Sequence, residues 1–127
     1  MRRLLVAFAL SLAACSDDVA PAPVGGLLPL MLDAPGDTDG AIIITVSGGP
    51  IDSVTAAPGY DITSYTDASG THILVIGAMA SGTLAQIHVP DVSRASQHVA
   101  NVEQVADGTT FALLDHAPYR VRVTAPR

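Results

Sequence analysis

Apolar residues in this chain occur in short runs, rich in Val, Ile and Leu, that alternate with glycine, proline, aspartate and serine. Runs of this kind, bounded by turn-forming residues at intervals of about 8–12 residues, predict short β-strands. The clearest is AIIITVSGG at 41–49, which is β-branched and bounded by glycine on both sides. The pattern predicts strands at 27–35, 41–49, 51–57, 60–66, 71–78, 83–89, from 99 onward, and at 119–124.

The last strand alternates with a period of two, so its side chains can be assigned to opposite faces. The residues predicted to face the core are Tyr119, Val121 and Val123, and those predicted to face solvent are Arg120 and Arg122.

Two features predict where particular strands lie. Pro29 lacks a backbone N–H, which favours an edge position for the strand at 27–35. The sequence MASG at 79–82 contains turn-forming residues, and it is predicted to turn the chain from the strand at 71–78 into the strand at 83–89, which could then pair as a hairpin.

The segment 91–106 allows two interpretations. Its apolar residues fall at helical spacing, with Asp91 as a possible N-cap and Gly108 as a stop. The Asp-Gly pair at 107–108 instead indicates two strands joined by a turn. We favour a loop, with one helical turn, followed by a strand from Val99.

The sum of these patterns is an all-β domain of about 8–9 short strands, arranged as an antiparallel β-sandwich with Greek-key connections. A small barrel is the alternative. The sequence predicts a signal peptide at 1–14, a flexible tether rich in Pro, Ala, Gly and Asp at 15–26, and the sandwich at 27–127.

The charge balance is acidic, with a formal net charge of −6. Removal of a signal peptide would take Arg2 and Arg3 with it, leaving 4 Arg against 12 Asp and Glu, or −8. Such a chain repels phosphate backbones, so we expect no nucleic-acid partner. It also has no electrostatic attraction to anionic lipid, and contact with a membrane therefore requires a separate anchor.

The first residues, MRRLLVAFALSLAAC, supply that anchor. Two arginines precede an apolar run that is too short to span a bilayer, which is the layout of a secretory signal peptide. The ending LAAC resembles the lipobox of bacterial lipoproteins. This resemblance implies that cleavage leaves Cys15 as the first mature residue, with diacylglycerol on its thiol and an acylated amine.

Several consequences follow from the lipobox. Two or three acyl chains give a stable membrane anchor, whereas one is marginal. Cys15 is the only cysteine, so it has no partner for a disulfide within the chain. Apart from this covalent lipid we expect no cofactor. Ser16 occupies the position where aspartate retains enterobacterial lipoproteins in the inner membrane, and it therefore favours the outer membrane.

Candidate catalytic and metal-binding residues are few. The four histidines show no local metal-binding spacing. If 71–78 and 83–89 form a hairpin, His72 and His88 would lie close together and could form a site with an aspartate from a loop. The sequence DAPGDTDG places Asp33, Asp37 and Asp39 near one another, and these are weak candidates for calcium, although the EF-hand pattern is not met.

The order of strands and glycine-rich breaks over 40–125 resembles bacterial cohesin-like and immunoglobulin-like sandwiches. Cohesins are binding modules that hold a partner through one face of a sheet. The resemblance lies in pattern alone, so it carries no site residue over to this chain.

These features together predict a lipid-anchored binding or structural module of the cell envelope, without catalytic activity and with an envelope protein or a glycan as partner. The alternative is an envelope hydrolase or metal-dependent enzyme whose site, with His72, His88 and an aspartate, forms only in the fold. A subunit of a larger envelope assembly is a third possibility.

Overall fold

The computed structural model describes residues 21–126, which form two antiparallel sheets packed face to face. The all-β sandwich is confirmed, and the two separate sheets exclude the small barrel over this part of the chain. The strands are β1 (Gly26–Asp33), β2 (Asp39–Ser47), β3 (Ser53–Ala56), β4 (Asp61–Asp67), β5 (Gly70–Ala78), β6 (Gly82–Val89), β7 (Val99–Asp107), β8 (Leu113–Leu114) and β9 (Arg120–Val123). The order is β3-β6-β1-β9 in one sheet and β4-β5-β2-β7-β8 in the other.

The core lies between the sheets and is built from alternate residues of the central strands. Each fully buried aliphatic side chain contributes about 1.5–3 kcal/mol. In β9, Val121 and Val123 pack against this core, as does the preceding Tyr119, while both arginines are exposed, so the predicted alternation is confirmed. The central strands β1 and β2 supply Leu28, Leu30, Leu32, Ile42, Ile44 and Val46, each no more than 1% exposed.

β1 lies between β6 and β9, so the prediction of an edge strand is wrong. The carbonyl of Pro29 accepts a hydrogen bond from the Thr124 N–H at 3.0 Å, just beyond the end of β9. Since the N and C=O groups of one residue in a strand point to the same side, the ring nitrogen of Pro29 also faces the end of β9. The backbone N–H that Pro29 lacks would therefore point towards the end of β9, where the hydrogen-bond ladder stops. No hydrogen bond to β6 is lost.

β5 and β6 belong to different sheets, so the predicted hairpin at 79–82 is wrong. The connecting segment crosses from one sheet to the other instead. Met79, in this segment, is only 2% exposed, and its N–H donates to the Thr38 carbonyl at 2.9 Å. Burial of this side chain between the sheets draws the connection across the core.

The segment 91–106 forms a short 3₁₀ helix (Val92–Gln97) followed by β7, as favoured, and the long helix is wrong. The Asp91 carboxylate accepts a hydrogen bond from the Ser93 N–H at 3.0 Å and caps the first turn. β7 and β8 pair as a hairpin, with a turn longer than the Asp-Gly pair alone.

The two ends of the sandwich carry different loops. The entry end, where β1 begins, also holds the β4–β5 turn, the β2–β3 loop and the 3₁₀ helix. The Val92 N–H donates to the Val24 carbonyl at 2.9 Å, so the last residues of the predicted tether pack against the fold. The far end holds the β7–β8 loop, where the Gly108 N–H donates to the Asp39 carbonyl at 3.0 Å.

Candidate functional site

The solvent-facing side of the five-stranded sheet is more apolar than an exposed antiparallel sheet usually is. Ile43 of β2 lies directly opposite Leu74 of β5, and both are only partly buried. Ile76 of β5 is 49% exposed. We call this side the outer face; its side chains include those of Ala41, Ile43, Thr45, Asp61, Thr63, Tyr65, Asp67, His72, Leu74, Ile76, Asn101, Glu103, Gln104 and Ala106.

An aromatic pair stands at the entry end of the outer face. Tyr65 on the edge strand β4 lies directly opposite His72 on β5. Their rings stack with centroids 4.7 Å apart and planes at 20°. Tyr65 is nevertheless 64% exposed, because its other side meets no part of the sheet.

Two oxygen groups of the β4–β5 turn contact Nε2 of His72. The Asp67 carboxylate lies 3.0 Å from this nitrogen and the Ser69 hydroxyl also lies 3.0 Å from it. Ser69 donates to Asp67 from its hydroxyl at 2.6 Å and from its backbone N–H at 2.8 Å. Hydrogen bonds from the Ser69 side chain first, then from His72 and the Ser69 backbone, lower the pKa of Asp67 to about 2.

A β-bulge in β7 brings a second carboxylate to the same histidine. The register with β2 shifts between Ile43 and Ile44, which leaves Glu103 as the extra residue of β7. The Thr45 hydroxyl donates to the Glu103 carboxylate and lies 3.1 Å from Nδ1 of His72. Glu103 itself lies 3.8 Å from Nδ1. His72 on β5 thus lies between two carboxylates, that of Asp67 at the end of β4 and that of Glu103 on β7.

Between these groups lies a shallow cavity of about 280 Å³. Its walls combine aliphatic, aromatic and hydrogen-bonding side chains, as small-molecule sites do. The lining residues are Ile43, Thr63, Tyr65, His72, Ile73, Leu74 and Glu103.

The proximity of Ser69, His72 and Glu103 raises the question of nucleophilic catalysis. A serine nucleophile needs its hydroxyl proton directed at the histidine. Here the Ser69 hydroxyl donates its hydrogen bond to the Asp67 carboxylate, in the pattern of a side chain that closes a tight turn. The Ser69 hydroxyl therefore stabilises the β4–β5 turn and is not directed at His72 as a nucleophile would be.

The proposed pair of His72 and His88 is not brought together. His88 lies on β6 in the other sheet, opposite Leu27 and Ser53, and points to that sheet's own solvent side. The hypothesis of a site shared by His72 and His88 depended on the hairpin, and because the hairpin does not form, the hypothesis is wrong.

The remaining predicted site residues have separate outcomes. Asp33 forms an ion pair with Arg122, and Asp39 begins β2. Within residues 21–126 no three His, Cys, Asp or Glu side chains are placed to hold a metal ion, the group of Asp33, Asp37 and Asp39 included. Cys15 and Ser16 lie outside the described residues.

Of the outer-face residues that the sequence analysis did not single out, some could be recognised from the strand pattern and others could not. Tyr65 alternates with the inward-facing Ile62, so its exposure follows from the strand period. The contact of Glu103 with His72 could not be predicted in this way, because a bulge cannot be located from an alternating pattern.

A second cavity, of about 360 Å³, lies at the entry end. His98 lines it, is only 7% exposed, and has its Nδ1 without a hydrogen-bond partner among residues 21–126. Burial lowers the pKa of this imidazole below its usual value of 6.5. The ring packs against Gly49, where a Cβ atom would lie 2.9 Å from Cε1.

This burial predicts a pH dependence of stability. Because the folded pKa of His98 is depressed, the unfolded chain takes up the proton first as the pH falls below 6.5. The contribution of His98 to the free energy of unfolding is therefore present above pH 6.5 and is lost as the pH falls through the folded pKa. Denaturant titrations at a series of pH values should show a smaller loss for His98→Leu than for the wild type.

The control is His116→Leu, since His116 is exposed. It should keep the wild-type slope. A His98→Leu slope equal to that of the wild type would contradict the prediction.

At the far end, Phe111 is 82% exposed and has a positive φ of 59°. A non-glycine residue in this region costs about 1–2 kcal/mol. The turn is held in place by Asp107, whose carboxylate accepts from the N–H groups of Thr109 at 2.7 Å and Thr110 at 3.0 Å.

No helix in the part of the chain that the structure describes is long and apolar enough to cross a membrane. Comparisons with protein-family models, with curated proteins and with solved structures found no match to this chain.

Proposed function

We propose that this chain is a lipid-anchored, non-catalytic binding module of the cell envelope, in the outer membrane, and that the outer face is its contact surface. The observation that carries the proposal is the exposed Tyr65 ring, stacked on His72 beside an uncovered strip of Ile43, Leu74 and Ile76. Exposed apolar patches with polar rims mark interaction sites on soluble domains.

The rim of this surface is acidic. Asp61, Asp67 and Glu103 lie on the outer face, and none of the arginines within residues 21–126 does. Arg120 and Arg122 point outward from the other sheet, and Arg94 belongs to the 3₁₀ helix. The two solvent-facing sides of the sandwich therefore differ in charge, which would direct a partner to one of them.

The anchor in this proposal is the lipid on Cys15, followed by a tether that joins the sandwich at the entry end. Cys15→Ser is expected to abolish labelling by radioactive palmitate and to release the protein from membranes, because the thiol is the acceptor of the lipid. Ser16→Ala is the matched control and should retain both properties. Palmitate labelling that persists in Cys15→Ser would refute the anchor.

The contact surface can be tested in intact cells by site-specific photo-crosslinking. A photoreactive residue at position 63 lies on the outer face, and one at position 55 lies at an equivalent outward position of the other sheet, opposite Gln86. We expect adducts from position 63 that disappear in Tyr65→Ala, and none from position 55. Absence of adducts at position 63 would refute the proposed surface, and a stoichiometric protein adduct would identify a subunit of an assembly.

A further inference from the structure

We infer that the partner of the outer face is a glycan free of acidic groups, with one sugar ring stacked on Tyr65. This inference rests on the proposed function, because it names the kind of molecule that the same surface binds. It is carried by the geometry of the Tyr65–His72 pair, the adjoining cavity and the distribution of charge.

The Tyr65 ring is held in place before any ligand arrives. One of its faces is covered by His72, with the centroids 4.7 Å apart, and the opposite face is open to solvent. The C–H groups of a sugar ring form an apolar face that can pack on such a π-surface. Because the tyrosine is already ordered by its neighbour, little side-chain entropy is lost on binding.

The cavity beside the ring offers hydrogen-bond acceptors at its rim. Glu103 and Thr63 both line it, together with the apolar residues Ile43 and Leu74. Sugar hydroxyl groups are donors that suit carboxylates, and such bonds are stronger than those between neutral groups. The volume of about 280 Å³ is below the range for drug-sized ligands, which suits a single ring with the rest of the chain outside.

The charge of the surface limits the class of glycan. The carboxylates of Asp61, Asp67 and Glu103 lie on the outer face, none of the arginines within residues 21–126 lies there, and the chain contains no lysine. A uronate or a phosphorylated sugar would place like charges together without a counter-ion. Neutral sugars avoid this repulsion, and amine-bearing sugars gain an ion pair.

A protein partner is less well matched to this site. Stable protein interfaces bury about 800 Å² on each partner around a cluster of central anchors. Beside the strip of Ile43, Leu74 and Ile76, the outer face presents one aromatic ring and one small cavity. We therefore treat a protein partner as an outcome of the test.

The test is isothermal titration of the lipidated protein in detergent micelles. The neutral and amine-bearing probes are laminarin, xylan, mannan, dextran and chitosan oligomers, and the acidic probes are polygalacturonate and hyaluronate. We expect binding of at least one probe of the first group and no binding of the second. Failure of the whole first group, or preferred binding of an acidic probe, would overturn the inference.

Variants separate ring stacking from other effects. Tyr65→Ala should lower the association constant about tenfold or more, whereas Tyr65→Phe should stay within about twofold, because the stacking ring is kept. Phe111→Ala removes the other strongly exposed aromatic ring of residues 21–126, at the far end, and should leave binding unchanged.

Glu103→Gln should weaken binding of the amine-bearing probe more than that of a neutral probe. An equal loss in Tyr65→Phe and Tyr65→Ala would contradict stacking.

The outcomes distinguish this inference from the proposed function. If position 63 forms adducts that depend on Tyr65 while no glycan binds, the proposed binding function is supported and the inference of a glycan ligand is refuted. If position 63 forms no adducts, the contact surface itself is refuted.

Discussion

Replacing Gly48 by alanine is expected to destabilise the fold by about 2–5 kcal/mol, a large part of the total stability of a small domain. Gly48 has a φ of 99°, and a Cβ atom there would lie 1.8 Å from the carbonyl oxygen of Gln97. The unfavourable φ costs about 1–2 kcal/mol, and relief of a clash with backbone costs a further 1–3 kcal/mol. The clash would separate the β2–β3 loop from the 3₁₀ helix, and with it one wall of the His98 cavity.

Gly59→Ala is the matched control for this prediction. Gly59 also has a positive φ, of 88°, but no described atom lies within 4 Å of the position that its Cβ would occupy. It should lose only about 1 kcal/mol, from φ alone. Free energies of unfolding from denaturant titration measure both variants, and equal losses would show that the close approach at Gly48 carries no energy.

The second large effect is expected at Ile44, which is 0% exposed at the centre of the core. Ile44→Ala should lower the free energy of unfolding by about 2–5 kcal/mol, since it removes buried surface and leaves a cavity. Its neighbour Ile43 points to the outer face and is only partly buried, so Ile43→Ala should cost less than about 1.5 kcal/mol.

When binding is measured in place of stability, the variant of Ile43 should show the larger effect and the variant of Ile44 the smaller one. Ile43 lines the outer-face cavity, whereas Ile44 does not. Adduct formation at position 63 should therefore fall in Ile43→Ala and persist in Ile44→Ala below its unfolding temperature. Loss of stability in Ile43→Ala as large as in Ile44→Ala would contradict the assignment of the two faces.

Local patterns predicted much of the fold. Strand positions, the alternation of Tyr119, Val121 and Val123 with the arginines, and the strand that starts at Val99 all follow from residues close together in sequence. Alternation is a property of a single strand, so it can be recognised before the partner strands are known.

The candidate site was less accessible to such reasoning. His72 was singled out from the sequence, but for a pairing with His88 that the fold does not form. Its actual neighbours are Tyr65, Asp67, Thr45 and Glu103, from three other strands. Cross-strand neighbours depend on register, and a single bulge in β7 decided that Glu103 reaches this histidine.

The sequence by itself determined the all-β class, the positions of most strands, and which side chains of β9 turn inward, because these depend on hydrophobic periodicity and turn residues within short segments. Only the tertiary structure decided that β1 is an interior strand and that β5 and β6 lie in different sheets. The strand order depends on how all the strands together bury Met79 and the aliphatic core. The free energy of this burial cannot be assigned to any single segment. The outer face, with Tyr65 stacked on His72, is a product of the same pairing.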